Sequence, residues 1–322
     1  MKKIFITGGA GFIGHNVVKE LYGLGHEVAV YDSFATYFPE TKNEYVNNLQ
    51  IRLGEIQDKA KIIRGEINNF DLLLKSIKEF RPDVIIHLAN IPVSIASNRF
   101  SKEAVEINLG GTENVIDAVR SVDCVKRLVY ASSSYIYGDF QYEPVDENHP
   151  FSPIDVYGAT KVASEFLIRG IGKRFNLEYV IVRPSAVYGP TGSNGAVSQM
   201  FLENAILGKP LKLNNGGAAR LDFTYVTDTA HGIVLAATLP AAANQIFNIT
   251  RGEGRSLKEF TEILKKYVPD LKVDEAPQIE PIPKRGSLDI SKARKILGYQ
   301  PKYSLEDGIK EYYNFLKTRL KK

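Results

Sequence analysis

Tyr157 and Lys161 stand four residues apart in Tyr157-Gly158-Ala159-Thr160-Lys161, a spacing that on a helix puts a phenol and an ammonium on one face. A phenol is a poor base near neutral pH. A neighbouring cation favours the phenolate and lowers its pKa, so the pair is suited to taking a proton from a substrate hydroxyl. Alone, the pattern also describes an ordinary surface pair on a helix. The run Ser132-Ser133-Ser134 adds to it, because it follows the apolar stretch Leu128 to Ala131 and brings hydroxyls that can hydrogen-bond a reacting oxygen. Loops at the carboxyl ends of parallel strands line the ligand crevice, and these serines occupy such a loop.

A second group of residues points to a dinucleotide. Thr7 to Gly14 reads TGGAGFIG, directly after an apolar run and at the start of a helical pattern. There Gly8 and Gly11 let the chain turn and expose amides, Gly14 lets the helix pack on the strand, and the helix amino terminus favours phosphate. Asp32 follows the second apolar run, near the offset at which an acid accepts hydrogen bonds from ribose hydroxyls. No Arg or Lys occurs from Tyr31 to Tyr37, so NAD is expected over NADP. An oxidised nicotinamide would add a second positive charge beside Tyr157.

The elements that must position these residues are legible as a rhythm. Ile4 to Ile6, Val28 to Val30, Val84 to Ile86, Leu128 to Tyr130 and Val180 to Val182 are short β-branched runs. Gly11 to Leu24, Asn69 to Phe80, Ser101 to Val122 and Tyr157 to Phe175 carry apolar residues at helical spacing. The alternation predicts an α/β, Rossmann-type doubly wound parallel sheet. After Arg183-Pro184 turn signals multiply, which predicts a smaller mixed α/β lobe over 185–322, behind a dinucleotide-binding domain over 1–184. Strand character near Phe223 to Val226 and Phe247 to Ile249 predicts that the chain returns to the first sheet around 220–250.

Bulk composition narrows the class. Charged residues are ordinary in number and the net charge is +4, with no basic stripe of the kind nucleic acid requires. Cys124 is the one cysteine, which excludes an intrachain disulfide and a cysteine-cluster metal site; no metal is expected. The apolar amino-terminal run is broken by Thr7-Gly8-Gly9 too soon for a signal peptide and no segment approaches a membrane span, so a cytoplasmic protein is expected. His87 reads as a core or backbone-bonded histidine, Tyr137 and Tyr188 as packing residues, and Asp228 as a helix amino-terminal cap.

Several ordered motifs together resemble one known family: TGGAGFIG, Asp32, HLA at His87 to Ala89, NLGGT from Asn108, YASSSYIYG from Tyr130, YGATK, RPSAVYGP from Arg183, DFTYVTD from Asp222 and DISKARKILGYQP from Asp289. This is the extended short-chain dehydrogenase/reductase family, the NAD-dependent epimerases and dehydratases of nucleotide sugars. The resemblance implies Ser133 as catalytic hydroxyl, Tyr157 as acid/base, and Lys161 as the residue that binds the nicotinamide ribose and depresses the tyrosine pKa. It implies cofactor contacts at Gly8, Gly11, Phe12, Ile13, Gly14 and Asp32, at Glu66 and Ile67 beside the adenine, and at Leu88, Ala89, Asn108 and Pro184. Substrate contacts are implied at Ser134, Tyr135, Ala186, Arg220 and Arg285, the last assigned to the nucleotide.

Departures from the family separate its branches. Dehydratases of the group carry an Asp-Glu pair where this chain has Ser134 and Tyr135, so a 4,6-dehydratase is not expected. Ala186 replaces an Asn that contacts the diphosphate in galactose epimerases, Pro92 stands where some have Lys, and Arg220 is one place earlier than the usual arginine. The reading is a nucleotide-sugar 4-epimerase working through a 4-keto intermediate on a UDP-, GDP- or dTDP-linked sugar. The alternatives are a 4-dehydrogenase that releases the keto sugar, for example of a GDP-sugar, a uronate decarboxylase, and a non-catalytic NAD-sensing module. In the resembled family the helices over Ser101 to Val122 and Tyr157 to Phe175 pair across a dimer as a four-helix bundle, which predicts a homodimer. Light scattering at micromolar concentration is expected to return about twice the chain mass; the mass of one chain rejects it.

Overall fold

A computed structural model describes residues 1–37, 42–92, 94–192, 195–277 and 283–320. Its centre is a seven-stranded sheet made of β1 (Lys3–Thr7), β2 (Glu27–Asp32), β3 (Lys61–Arg64), β4 (Val84–His87), β5 (Arg127–Ala131), β6 (Glu178–Arg183) and β7 (Gln245–Asn248). The spatial order is β7-β6-β5-β4-β1-β2-β3 and every pairing is parallel. The order reverses between β1 and β4, where Ile4 pairs with Val28 on one side and Val84 on the other. That reversal opens a crevice at the strands' carboxyl ends. Strands β1, β4 and β5 are buried almost throughout, which is why they read as continuous apolar runs and not as an alternation.

One face of the sheet is covered by α1 (Gly14–Gly23) and, from much later in the chain, α4 (Val226–Thr238). Their apolar residues join Ile4, Ile6, Val129 and Val180 in one core. The other face carries Phe70–Phe80, α2 (Gly111–Arg120) and α3 (Val156–Phe175), packed on Phe5, Ile85, Leu128 and Ile181. A separate apolar core joins the helices Val197–Ile206, Leu257–Lys265 and Leu305–Leu320 with short strand pairs, among them Leu211–Asn214 beside Val273–Ala276. This smaller lobe sits beside the crevice and is fed by the loops that leave β6 and β7.

Several elements differ from the sequence reading for local reasons. The helix expected over Ser101 to Val122 runs without interruption to Arg120, but Val105–Gly110 within it is wound more widely, as a π-type turn. Such turns recur at functional sites, and this one carries Asn108. Strand β3 and the helix Lys42–Ile56 had no clear sequence signal; the strand is only four residues long at the sheet edge, and the helix has a weak apolar stripe. Asp228 is not a helix cap. It lies inside the first turn of α4, and its carboxylate accepts the Lys302 and Tyr303 amides at 2.9 Å, tying the carboxyl-terminal segment to the sheet side.

The sheet and α3 are joined by a buried ion pair. Arg183, at the end of β6, donates from Nε and Nη2 to the Glu165 carboxylate at 3.0 and 2.7 Å. Its Nη1 donates to Tyr137 Oη and to the Glu147 carbonyl, both at 2.9 Å, and Tyr137 donates onward to Asn248. Arg183 is 1% exposed and Glu165 0%. Removing one partner leaves the other charge stranded in the interior. Arg183→Met is therefore expected to lower unfolding free energy by about 3–5 kcal/mol in urea denaturation, and adding Glu165→Leu to recover much of that loss.

Candidate active site

The glycine loop is built as a cradle. Gly8 has φ 73°, and a Cβ there would press on the backbone of Leu88 and Ala89 at 2.7–2.9 Å, so only glycine lets the loop lie against the end of β4. A Cβ on Gly14 would overlap the Gly8 carbonyl. Gly11 uses its amide inside the turn, donating to Gly8 O at 3.1 Å, so it does not expose that group as its glycine content suggested. The Phe12 and Ile13 amides have no acceptor among the described residues, and Ile13 at the head of α1 makes no side-chain cap. These are the donors a pyrophosphate would meet.

Asp32 ends β2 beside this cradle. Its carboxylate accepts the Ala10 and Phe34 amides at 2.9 Å, which orients it towards the loop. Burial pushes its pKa up, opposed by those amides and by the Arg52 charge. The tertiary fold thus brings a cation near Asp32 that the local sequence does not contain, but Arg52 is 2% exposed and donates to the Thr191 carbonyl at 3.2 Å. Glu66 is exposed at the end of β3, and its carbonyl accepts the Tyr31 hydroxyl. Ile67 is buried, its side chain in the core against Gly111.

Leu88 and Ala89 run beside Gly8, their amides donating to the Thr7 carbonyl and hydroxyl at 2.9 and 3.4 Å. His87 is buried between the hydroxyls of Thr7 at 2.7 Å and Thr112 at 3.1 Å. Burial holds its pKa down at about 3, so it is a neutral core residue held by side-chain hydroxyls. Asn108 accepts the Ile91 amide at 2.7 Å and donates to Thr160 Oγ1 at 3.3 Å, bridging the loop after β4 to the helix of Tyr157 and Lys161.

The serine run leaves β5 at the crevice. Ser132 and Ser134 donate their amides to the Val182 and Pro184 carbonyls at 2.8 and 2.9 Å, locking the turn to the end of β6. Between them Ser133 caps the short turn Ser134–Tyr137, accepting the Tyr135 amide at 3.2 Å. Helix α3 seats on this turn because Gly158 lacks a side chain; a Cβ there would come within 2.9 Å of the Tyr135 carbonyl and the Pro153 ring. Asp155 caps α3 by accepting the Gly158 amide at 2.7 Å. Sequence reasoning passed over Asp155, although an Asp two residues before the helical Tyr is a cap signal.

Lys161 is 2% exposed and donates to the Ala131 carbonyl at 2.7 Å, with its Nζ 5.7 Å from the centre of the Tyr157 ring. Burial pulls its pKa down to about 7, partly opposed by Glu165. Burial also pushes the Tyr157 phenol well above its ordinary value, and the Ser133 hydroxyl acts against that rise. Burial therefore disfavours the charged form of both groups, leaving Lys161 only partly protonated near pH 7, and the phenol is not acidified by Lys161 alone. A second positive charge in the crevice would shift it towards the phenolate.

The remaining candidates divide. Tyr135 meets the Tyr157 ring edge-on at 5.6 Å, and Arg285 lies over Tyr135 at 4.2 Å while donating to Ser134 Oγ at 3.3 Å. Burial pulls the Arg285 pKa down, opposed by Tyr135, Asp155 and Asp139. Ala186 has φ 37°, a left-handed conformation that suits Asn or Gly better than Ala. Arg220 pairs with Glu143 at 2.9 Å and donates to the Gly254 carbonyl at 3.0 Å, 43% exposed.

A glycine cradle, an oriented ribose-side acid and a Ser-Tyr-Lys cluster at one sheet edge are what a dinucleotide-dependent oxidation requires. The family model described as the NAD dependent epimerase/dehydratase family matches residues 4–250. The chain belongs to this family. The putative UDP-glucose 4-epimerase of Methanocaldococcus jannaschii is 32% identical, over 98% of both chains. The UDP-glucuronate 4-epimerase of Thermodesulfobacterium geofontis is 30% identical, over 98% of this chain and 96% of its own. The crystal structure of UDP-glucuronic acid 4-epimerase from Bacillus cereus with UDP-glucuronic acid and NAD superposes with a TM-score of 0.87 at 29% identity, covering 98% of this chain and 99% of that one. This family member uses NAD and has the Rossmann-type sheet expected of it. Among its described residues no helix is long and apolar enough to cross a membrane.

The buried amine sets a pH dependence of stability. The folded Lys161 releases its proton near pH 7, the unfolded chain near 10.5. Between those values the unfolded state holds more protons, so folding stability rises with pH, by at most about 1.4 kcal/mol per unit. Denaturant unfolding of wild type against Lys161→Met is expected to show the wild type gaining on the variant from pH 7 to pH 10; a constant difference contradicts it.

Proposed function

We propose that this protein is a nucleotide-sugar 4-epimerase. The observation that supports it most is the meeting of Ser133, Tyr157 and Lys161 at the carboxyl end of β5, two strands from β1, which leads into the glycine cradle. Ser133 and Tyr157 hold the C4 hydroxyl of the sugar, and Tyr157 takes its proton while Lys161 lends positive charge. NAD, when bound along the cradle with its ribose on Asp32, supplies the acceptor for the C4 hydride and gives it back. The sugar turns over between oxidation and reduction, and Tyr157 returns the proton to the new hydroxyl.

The catalytic turn has no acid at 134 or 135, which supports epimerisation over elimination of water. The relatives above bear names of enzymes acting on UDP-linked sugars, which supports UDP as the nucleotide. The smaller lobe is the part of the chain we assign to it. Exposed Phe166 and Leu167 on α3 and Val105 before α2 are consistent with a homodimer through these helices.

Incubation with UDP-sugars followed by NMR is expected to give the C4-inverted sugar with no net NADH. Tyr157→Phe is expected to lower kcat by roughly 10²–10⁴-fold while still retaining NAD. Stoichiometric keto sugar with NADH would point to a 4-dehydrogenase, and turnover unaffected by Tyr157→Phe would reject the assignment.

A further inference from the structure

Arg285 is held more rigidly than a surface arginine needs to be. Its segment runs alongside residues 139–145: Phe140 donates to the Lys284 carbonyl at 2.8 Å, Val145 to Ser287 at 3.1 Å, and Asp289 back to Val145 at 2.8 Å. Three carboxylates pin the same segment. Asp139 accepts the Lys284 amide at 2.7 Å, Glu143 accepts the Ser287 amide and hydroxyl at 2.9 Å, and buried Asp222 accepts the Leu288 amide at 3.0 Å. The Arg220–Glu143 pair described above belongs to this clasp.

The guanidinium so presented is underused. It offers five N–H donors, and among the described residues it makes one side-chain hydrogen bond, from Nη1 to Ser134. Nη2 is enclosed by protein and has no acceptor among those residues, and none of their carboxylates forms an ion pair with Arg285. An acid at 134 would have neutralised it, and this chain has serine. Asp155 and Asp139 act on it only without direct pairing; enclosing a cation with no paired carboxylate is unfavourable, and a planar fork on a rigid support is suited to bidentate pairing with one.

The position says which carboxylate. Arg285 touches Ser134 and stacks on Tyr135, the two residues after Ser133, and Tyr135 abuts Tyr157. If Ser133 and Tyr157 hold the C4 hydroxyl, the C3 and C5 substituents beside it are the ones within reach of this corner, C5 being the one that carries a carboxylate in a hexuronate, whereas the diphosphate hangs from C1 across the ring. We infer that Arg285 is a specificity-determining residue that pairs with a carboxylate on the sugar, so that the substrate is a nucleotide-linked hexuronate and not a neutral hexose. This rests on the nucleotide-sugar reading above and goes further in naming the sugar's charge.

The test compares UDP-glucuronate with UDP-glucose on the purified protein, by kcat/KM and by calorimetric binding. Wild type is expected to favour the uronate by about 100-fold or more, and Arg285→Gln to reduce that ratio by about 10²-fold. Arg285→Lys, which keeps the charge and loses the fork, should recover part of it. Wild type preferring the neutral hexose overturns the inference, as does equal loss on both sugars, the result if Arg285 serves the diphosphate. If Arg285→Gln does not fold, Ser134→Asp supplies an internal counter-charge, and its KM for the uronate should rise at least about tenfold more than that for the hexose; equal change overturns the inference. Binding of neither sugar removes the nucleotide-sugar reading itself, and this inference with it.

Discussion

The buried pair between Glu165 and Arg183 is the contact on which the candidate site depends. A helix that must carry Tyr157 and Lys161 into the edge of an apolar sheet has little hydrophobic surface to spare there. The charge pair, one turn beyond Lys161, anchors the helix to the end of β6 with two hydrogen bonds of fixed direction. Tyr137, Glu147 and Asn248 extend the anchor to β7 and to the loop before α3, so the catalytic turn is gripped from both sides. Such a network is costly unless every member is satisfied, and it sets position more than it adds stability.

Burial also sets the chemistry of the site. Enclosing Lys161 and Tyr157 pushes one pKa down and the other up, because both charged forms lose hydration. The resting pair is poised, and a bound oxidised nicotinamide brings the charge that the protein withholds. In the proposed reaction, activation of the phenol would thereby be coupled to cofactor binding. His87 lies one strand away under the same burial and stays neutral, held by two hydroxyls.

The last third of the chain is joined to the sheet and the catalytic turn by apolar packing of Leu288, Ile290, Leu297 and Tyr299 and by directed polar contacts. Asp222, Asp228 and Glu143 each accept amides from the last third of the chain. They place that segment against the catalytic turn, although over a hundred residues separate Arg285 from Ser134. The reaction centre belongs to the sheet. The arginine proposed to choose the substrate is delivered to it by a loop from elsewhere in the chain.

Much of this was legible in the residues alone. Apolar runs alternating with helical stripes specified the parallel sheet, because strands buried on both faces have to be continuously apolar. TGGAGFIG after a strand, and Tyr157 and Lys161 four apart after a serine turn, marked the two halves of the site by local spacing. The wider turn at Val105–Gly110, the edge strand β3 and the burial of Ile67 were not legible, since each depends on what packs against it. Local spacing reaches only as far as one element. Which charges are paired, that Arg52 approaches Asp32, that Arg220 pairs with Glu143 and that Arg285 keeps an enclosed donor without a partner among the described residues were decided by tertiary structure, because pairing and desolvation are set by neighbours distant in the chain.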